Sequence, residues 1–266
     1  MKVTKKTRKS HYWNEDRFII GKDFFMVIDG ATPLIKSPDL NEACWMVNYI
    51  KKNISKYNGL VTNRLLKLAE DGYYALPTDK SADTIPSASA SWIEFDDTYF
   101  YASVLGDCEV TFITYDNQIV RVHLCDLNRL DTIALQQMVA IAREKNIHNL
   151  DARKYISDTL IRHRKMINKP NGYTAFTLSP TPMLTPNTIK IKREKVKTIY
   201  LYSDGFSQAY EHLCIYNNHE EMFSKELDIA EEIKKIEKTS FSDPYCDAYP
   251  RFKIIDDITV IKIENN

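Results

Sequence analysis

Apolar residues along this chain fall into strand-like and helix-like blocks that do not alternate one for one. Arg17–Ile20 and Asp23–Asp29 are rich in Phe, Ile and Val and read as strands. The spacing then turns helical: Ala43, Met46, Val47 and Ile50 predict a helix over Asn41–Tyr57, and Leu65, Leu66, Leu68 and Ala69 predict a second over Leu60–Tyr74. Four short strand-like runs follow, Ala88–Phe95, Tyr99–Leu105, Glu109–Tyr115 and Gln118–His123. Asp96-Asp97 and Asp116-Asn117 supply turns, which makes an antiparallel meander. Helices are expected at Thr132–Lys145 and Asp151–Met166, and a strand at Tyr173–Leu178. Beyond a loop holding Pro180, Pro182 and Pro186, strands are expected at Thr188–Lys192 and Lys197–Tyr202. His219–Lys238 reads as one amphipathic helix and Phe252–Ile263 as a closing strand. Helix pairs between runs of strands argue for α+β layers. No repeat or composition break divides the 266 residues, so a single domain is expected.

Composition narrows the class. At 44% hydrophobic and 27% charged the chain is neither disordered nor fibrous, and no run of apolar residues is long enough to span a membrane as a helix. Five cysteines, at 44, 108, 125, 214 and 246, form no Cys-x-x-Cys pair. That argues against a disulfide framework or a thiolate zinc site and for a reducing cytoplasm. Charge balances at 36 basic and 36 acidic residues, yet Lys2, Lys5, Lys6, Arg8 and Lys9 crowd the first ten. This basic start lacks a secretory apolar stretch and reads as a solvated leader over residues 1–10. Nucleic-acid binding through Lys2–Lys9 and Lys190–Lys197 is the weaker reading, so no nucleic-acid or membrane partner is expected.

Candidate chemistry lies in the acids. Of seven glycines, five follow Asp or Asn, a pairing that tight turns explain at most positions. Asp29-Gly30 and Asp204-Gly205 stand apart, because each closes a buried strand-like run with a carboxylate and a glycine that lets the backbone approach something closely. Glu15-Asp16 and Asp256-Asp257 add acids at two further strand ends. Mg²⁺ and Mn²⁺ prefer oxygen ligands, and two such ions sharing a water lower its pKa and direct it at phosphorus.

The order Asn14-Glu15-Asp16-Arg17, Val27-Ile28-Asp29-Gly30, Val104-Leu105-Gly106-Asp107, Tyr202-Ser203-Asp204-Gly205-Phe206 and Asp256-Asp257-Ile258-Thr259-Val260 resembles the metal-dependent protein phosphatases of the type 2C (PPM) family. The resemblance runs from Asn14 to Ile263, and Asn171-Gly172-Tyr173 is similar to bacterial members. It implies a four-layer α-β-β-α sandwich, two central antiparallel sheets flanked by helix pairs. It also implies a cytoplasmic, monomeric hydrolase of phosphoserine and phosphothreonine in proteins, using two Mn²⁺ or Mg²⁺ ions and a weaker third. By that resemblance Asp29 bridges both metals, the Gly30 carbonyl is a second-metal ligand, and Asp204 and Asp256 hold the first metal. Glu15 and Asp16 match the acidic pair near the second metal, and Asp107 matches the third site. A hydroxide bridging the metals attacks phosphorus directly, so no Cys or Ser nucleophile is needed.

The chain also departs from the pattern. Ala31-Thr32-Pro33 stands where the family has His-Gly-Gly or Met-Gly-Gly, leaving the proposed general-acid His unfilled. Gln208 replaces a third-site aspartate, and Glu109 replaces the Arg of Gly-Asp-Ser-Arg. His11 occupies the phosphate-binding Arg position, with Arg8 and Lys9 nearby as substitutes; otherwise it is a solvated loop histidine. These departures leave a catalytically weak, phosphatase-like binding or regulatory module as the alternative.

Overall fold

Side chains alternate across a strand, so each apolar run feeds two faces. The computed structural model describes residues 1–10 and 12–265, and in it both faces of each sheet are covered. Its strands are β1 (Lys2–Arg8), β2 (Asp16–Ile20), β3 (Phe24–Ala31), β4 (Ser87–Phe95), β5 (Tyr99–Leu105), β6 (Glu109–Thr114), β7 (Ile119–Val122), β8 (Phe176–Thr177), β9 (Asn187–Lys192), β10 (Val196–Tyr202) and β11 (Ile258–Glu264). The helices are α1 (Glu42–Asn53), α2 (Val61–Ala75), α3 (Asp126–Lys145), α4 (Asn149–Ala152), α5 (Ser157–Arg164), α6 (Asp204–Glu211), α7 (His219–Phe223) and α8 (Ile229–Ser242). One sheet runs β1-β11-β10-β6-β7 and the other β2-β3-β4-β5-β9, with β8 beside β4; the pairing is antiparallel throughout.

On β3, Phe25 and Val27 face the layer between the sheets, where they meet Phe112, Leu201 and Ile261 of the other sheet. Phe24, Met26 and Ile28 face outward onto Met46 and Ile50 of α1 and Leu65 and Leu68 of α2. The opposite flank repeats this logic: Tyr200, Tyr202, Ile258 and Val260 pack on Phe206, Phe223, Ile233 and Ile236 of α6–α8. The result is the expected α+β four-layer α-β-β-α sandwich. A third helical group, α3–α5, builds its own small core from Ala134, Met138, Ala142, Ala152 and Ile156. Among the described residues no helix is long and apolar enough to cross a membrane.

Several expectations need correction. The basic start is not a solvated leader: Lys2–Arg8 pairs along its length with β11 as an edge strand, and Val3 packs toward the inter-sheet core. Lysines on an exposed edge oppose further strand addition, which accounts for a basic sequence there. The single helix over His219–Lys238 is two. Asn218 accepts from the Glu221 N–H and Asp228 from the Ala230 and Glu231 N–H groups, so each caps its own helix and the chain turns between them. The helix over Asp151–Met166 breaks into α4, a 3₁₀ turn at Arg153–Ile156 and α5. The closing strand starts at Ile258, not Phe252. Buried Arg251 holds the backbone before it in a loop through the carbonyls of Ile254, Tyr249, Ser240 and Asp243.

Gly205 explains one close approach. A Cβ built there would lie 1.9 Å from the Asp257 carbonyl oxygen, so α6 touches the loop before β11 only because no side chain intervenes. Gly205→Ala is expected to cost at least about 1–3 kcal/mol, the usual range for overpacking. Urea denaturation measures this, and an unchanged midpoint would contradict the contact.

Candidate metal centre

Residues directly opposed in an antiparallel pair point to the same face. Asp16 of β2 is paired with Asp29 of β3, and both share the inward side of Phe18 and Val27. From the other sheet, Ser203 follows β10 and immediately precedes α6, whose first residue is Asp204. The turn after β5 adds Asp107 and Cys108, and the loop before β11 adds Asp256. Four separate stretches of chain thus deliver carboxylates to one end of the inter-sheet layer. The cavity there, about 440 Å³, is lined by Glu15, Asp29, Gly30, Asp107, Asp204 and Asp256 among others.

Packing acids together without a cation favours their protonated forms, and the cluster bears the mark of it. Desolvation, then the charges of Asp16, Asp204 and Asp107, raise Asp29 well above the ordinary carboxylate range. Asp204 is raised in the same way, by desolvation and then by Asp256 and Asp107. Burial, with Asp257 and Asp256, pushes Asp16 up to about 7, although the Ser203 hydroxyl donates to its Oδ2 at 2.7 Å. Asp107 is raised by burial and by Asp256. Asp16 Oδ1 and Asp204 Oδ1 are buried without a partner. The cation touching the cluster is Lys253, whose Nζ donates to Asp256 Oδ1 at 2.6 Å. Orphaned oxygens, mutual repulsion and an oxygen-rich donor set are what a hard divalent ion would relieve, so the residues fit Mn²⁺ or Mg²⁺.

The two halves of each acidic pair do different things. Asp256 opens on the cavity, whereas Asp257 accepts from Ser10 N at 2.5 Å and Glu15 N at 2.6 Å, tying the segment before β2 to the loop before β11. Glu15 lines the cavity and accepts from Asn41 Nδ2 at 2.7 Å and Thr32 Oγ1 at 3.2 Å, while Asp16 is sealed beneath it. Gly30 N donates to the Glu15 carbonyl, and a Cβ at Gly30 would meet that oxygen at 3.0 Å. His11, the expected phosphate contact, lies outside the described residues. Arg8 is no substitute for it: its Nε donates to Glu237 Oε1 at 2.6 Å and its guanidinium lies over Phe241, both on α8. Gln208 lines the cavity with Oε1 unpartnered.

Sequence reading missed other residues here. Asp131 of α3 lines the cavity and is pushed up to about 7 by desolvation and Asp107. Arg164, the last residue of α5, donates from Nη1 to the Thr32 carbonyl at 3.1 Å and to Ser87 Oγ at 2.9 Å, at the cavity wall. His163 and His212 also line it. A Ser immediately before Asp204 carries the signal of a helix cap, but Asp131 and Arg164 sit in helices whose neighbours across the cavity no periodicity reveals.

A sandwich of this kind with acids at the end of its sheets has the fold of bacterial serine/threonine phosphatases. Over 99% of this chain and 97% of the other, it is similar to the catalytic domain of the serine/threonine protein phosphatase PstP in complex with two manganese ions, at 11% identity and a TM-score of 0.55. It is similar to the Stp1 phosphatase of Staphylococcus aureus over 98% and 94% of the two chains, at 11% identity and a TM-score of 0.54. A bacterial serine phosphatase aligns over 100% and 98%, at 12% identity and a TM-score of 0.56. No protein-family model and no curated protein sequence matches the chain.

Proposed function

We propose that the chain is a metal-dependent phosphatase acting on phosphoserine and phosphothreonine of proteins. The observation that carries this is the gathering of Asp29, Asp107, Asp204 and Asp256 from separate segments around one cavity, with buried carboxylate oxygens left unpaired. In this reading Asp29 would serve two Mn²⁺ or Mg²⁺ ions, Asp204 and Asp256 would hold the first, and Gly30, Glu15 and Asp16 would serve the second. Asp107 serves a weaker third, where Gln208 offers an amide in place of a carboxylate. Two ions held there would supply Lewis-acid chemistry and a water of lowered pKa for phosphoester hydrolysis. Ser203 holds Asp16 in place, and Asp257 fixes the backbone of Glu15.

The phosphate also needs a cationic partner. With Arg8 committed to Glu237, Arg164 takes that role: Nη1 anchors it to the cavity wall at Thr32 and Ser87, leaving the rest of its fork for phosphate oxygens. Hydrolysis of p-nitrophenyl phosphate and of a phosphothreonine peptide should appear with Mn²⁺ and vanish with EDTA. Arg164→Ala is expected to raise KM by about tenfold, the cost of one charge-assisted contact of roughly 1.5 kcal/mol. Mn²⁺ bound without turnover would instead establish the binding-module reading, which the amide at Gln208 and the absence of a family His at Ala31 favour.

A further inference from the structure

The sequence departs from Gly-Asp-Ser-Arg at Cys108, and the structure brings that sulfur to the acids. Cys108 is fully buried in the inter-sheet core, and its Sγ and one carboxylate oxygen each from Asp29 and Asp107 lie within 4.8 Å of one another. One ion of ordinary coordination radius can touch all three. Asp16, 1% exposed, points to the same face as Asp29, and its Oδ1 has no partner. That carboxylate is the foremost charge acting on Asp29 and also acts on Cys108. The oxygen donors therefore have a soft floor.

We propose that this centre also takes thiophilic divalent ions, zinc above all, through a mixed oxygen–sulfur ligand set in which Cys108 Sγ is a ligand beside Asp29 and Asp107. Soft thiolate selects zinc and cadmium over Mg²⁺ and Mn²⁺, which bind through the carboxylates alone. On binding, the thiol proton leaves to solvent as the sulfur–metal bond forms, and no electron changes hands. Zinc there occupies Asp29 and displaces the hard ion, so Cys108 makes zinc an antagonist of Mn²⁺. The inference rests on reading these carboxylates as a cation site, not on the reaction performed there.

The test uses the full chain with Cys125→Ser and Cys214→Ser, which removes the two exposed thiols. Titration with Cd²⁺ should raise a thiolate-to-cadmium charge-transfer band in the ultraviolet that saturates at one equivalent. Cys108→Ala should abolish the band and weaken Cd²⁺ binding by at least about 10- to 100-fold, since a metal site loses that much with an outer-shell partner alone. Cys44→Ala should keep it, and Asp29→Asn should weaken it. In case Cys108→Ala fails to fold, zinc-edge X-ray absorption on the unsubstituted 108 protein should show one sulfur at about 2.3 Å. A band that survives Cys108→Ala or is unaffected by Asp29→Asn overturns the proposal, as does a zinc shell without sulfur. Scoring Mn²⁺-dependent hydrolysis on the same preparation separates the two readings. A band without turnover keeps this inference and removes the phosphatase, and turnover without a band does the reverse.

Discussion

With Mn²⁺ present, Asp29→Asn is expected to lower hydrolysis of p-nitrophenyl phosphate by about a thousandfold, since several kcal/mol of metal-derived stabilisation convert to that factor. Asn keeps the shape of the side chain and removes only its charge. Asp29 is the acid most surrounded by others: Asp16, Asp204, Asp107 and Asp256 all act on it. The same substitution has an opposite effect on stability. Without metal, Asp29 is the fifth acid crowded beside Asp16, Asp204, Asp107 and Asp256, so the metal-free Asp29→Asn protein should melt no lower than the parent. An enzyme retaining activity within tenfold of the parent, with its manganese affinity intact, would remove Asp29 from the centre. A metal-free variant that melts well below the parent would mean the residue is structural first.

What the sequence made legible, and what it hid, divides along physical lines. Strands at Asp23–Asp29 and Lys197–Tyr202 were readable because runs dominated by β-branched and aromatic residues lead into an Asp-Gly pair, and the structure places them at Phe24–Ala31 and Val196–Tyr202. The glycine of the second pair had a readable purpose too, and the thing it approaches is the Asp257 carbonyl. Helix ends were less legible. A cap such as Asp228 is an ordinary acid in a charged segment until its two N–H donors are seen. Lys2–Arg8 was obscured for a different reason: an edge strand buries little, so its lysines carry the signature of a solvated tail while every residue of it lies in register with β11. In the site, acids at strand ends could be found one by one. Asp131, Arg164 and Lys253 depend on which helix or loop crosses the cavity, which no local pattern encodes.

Metal-free protein is expected to lose thermal stability as pH rises from 6.5 to 8, and Mn²⁺ should reverse the trend. Asp16 and Asp131 are each pushed from 3.8 to about 7 in the folded chain, and Glu211 from 4.5 to about 7, in every case chiefly by desolvation. A carboxyl raised on folding binds its proton more tightly in the native state, so stability falls with pH while the native state holds the extra proton. Its contribution is complete below the unfolded pKa and is lost as pH climbs through 7. Four histidines act oppositely at lower pH. His219 is pushed down to about 4, and His212, His123 and His163 are also lowered, each first by burial, so stability rises with pH up to the unfolded value of 6.5 and their contribution is complete above it. Above that point the acids act alone. Each contributes at most about 1.4 kcal/mol per pH unit, and each kcal/mol shifts Tm by roughly 2–4 °C in a chain of this size. Divalent ions bind the ionised carboxylates, so their stabilising effect grows across the same window and the melting curves with and without Mn²⁺ should diverge. Asp131→Asn isolates one member: its metal-free Tm should fall less steeply between pH 6.5 and 8 than that of the parent. A metal-free Tm that climbs through this window would mean that the acids are already neutralised from within, with Lys253 supplying more charge than one contact on Asp256 suggests.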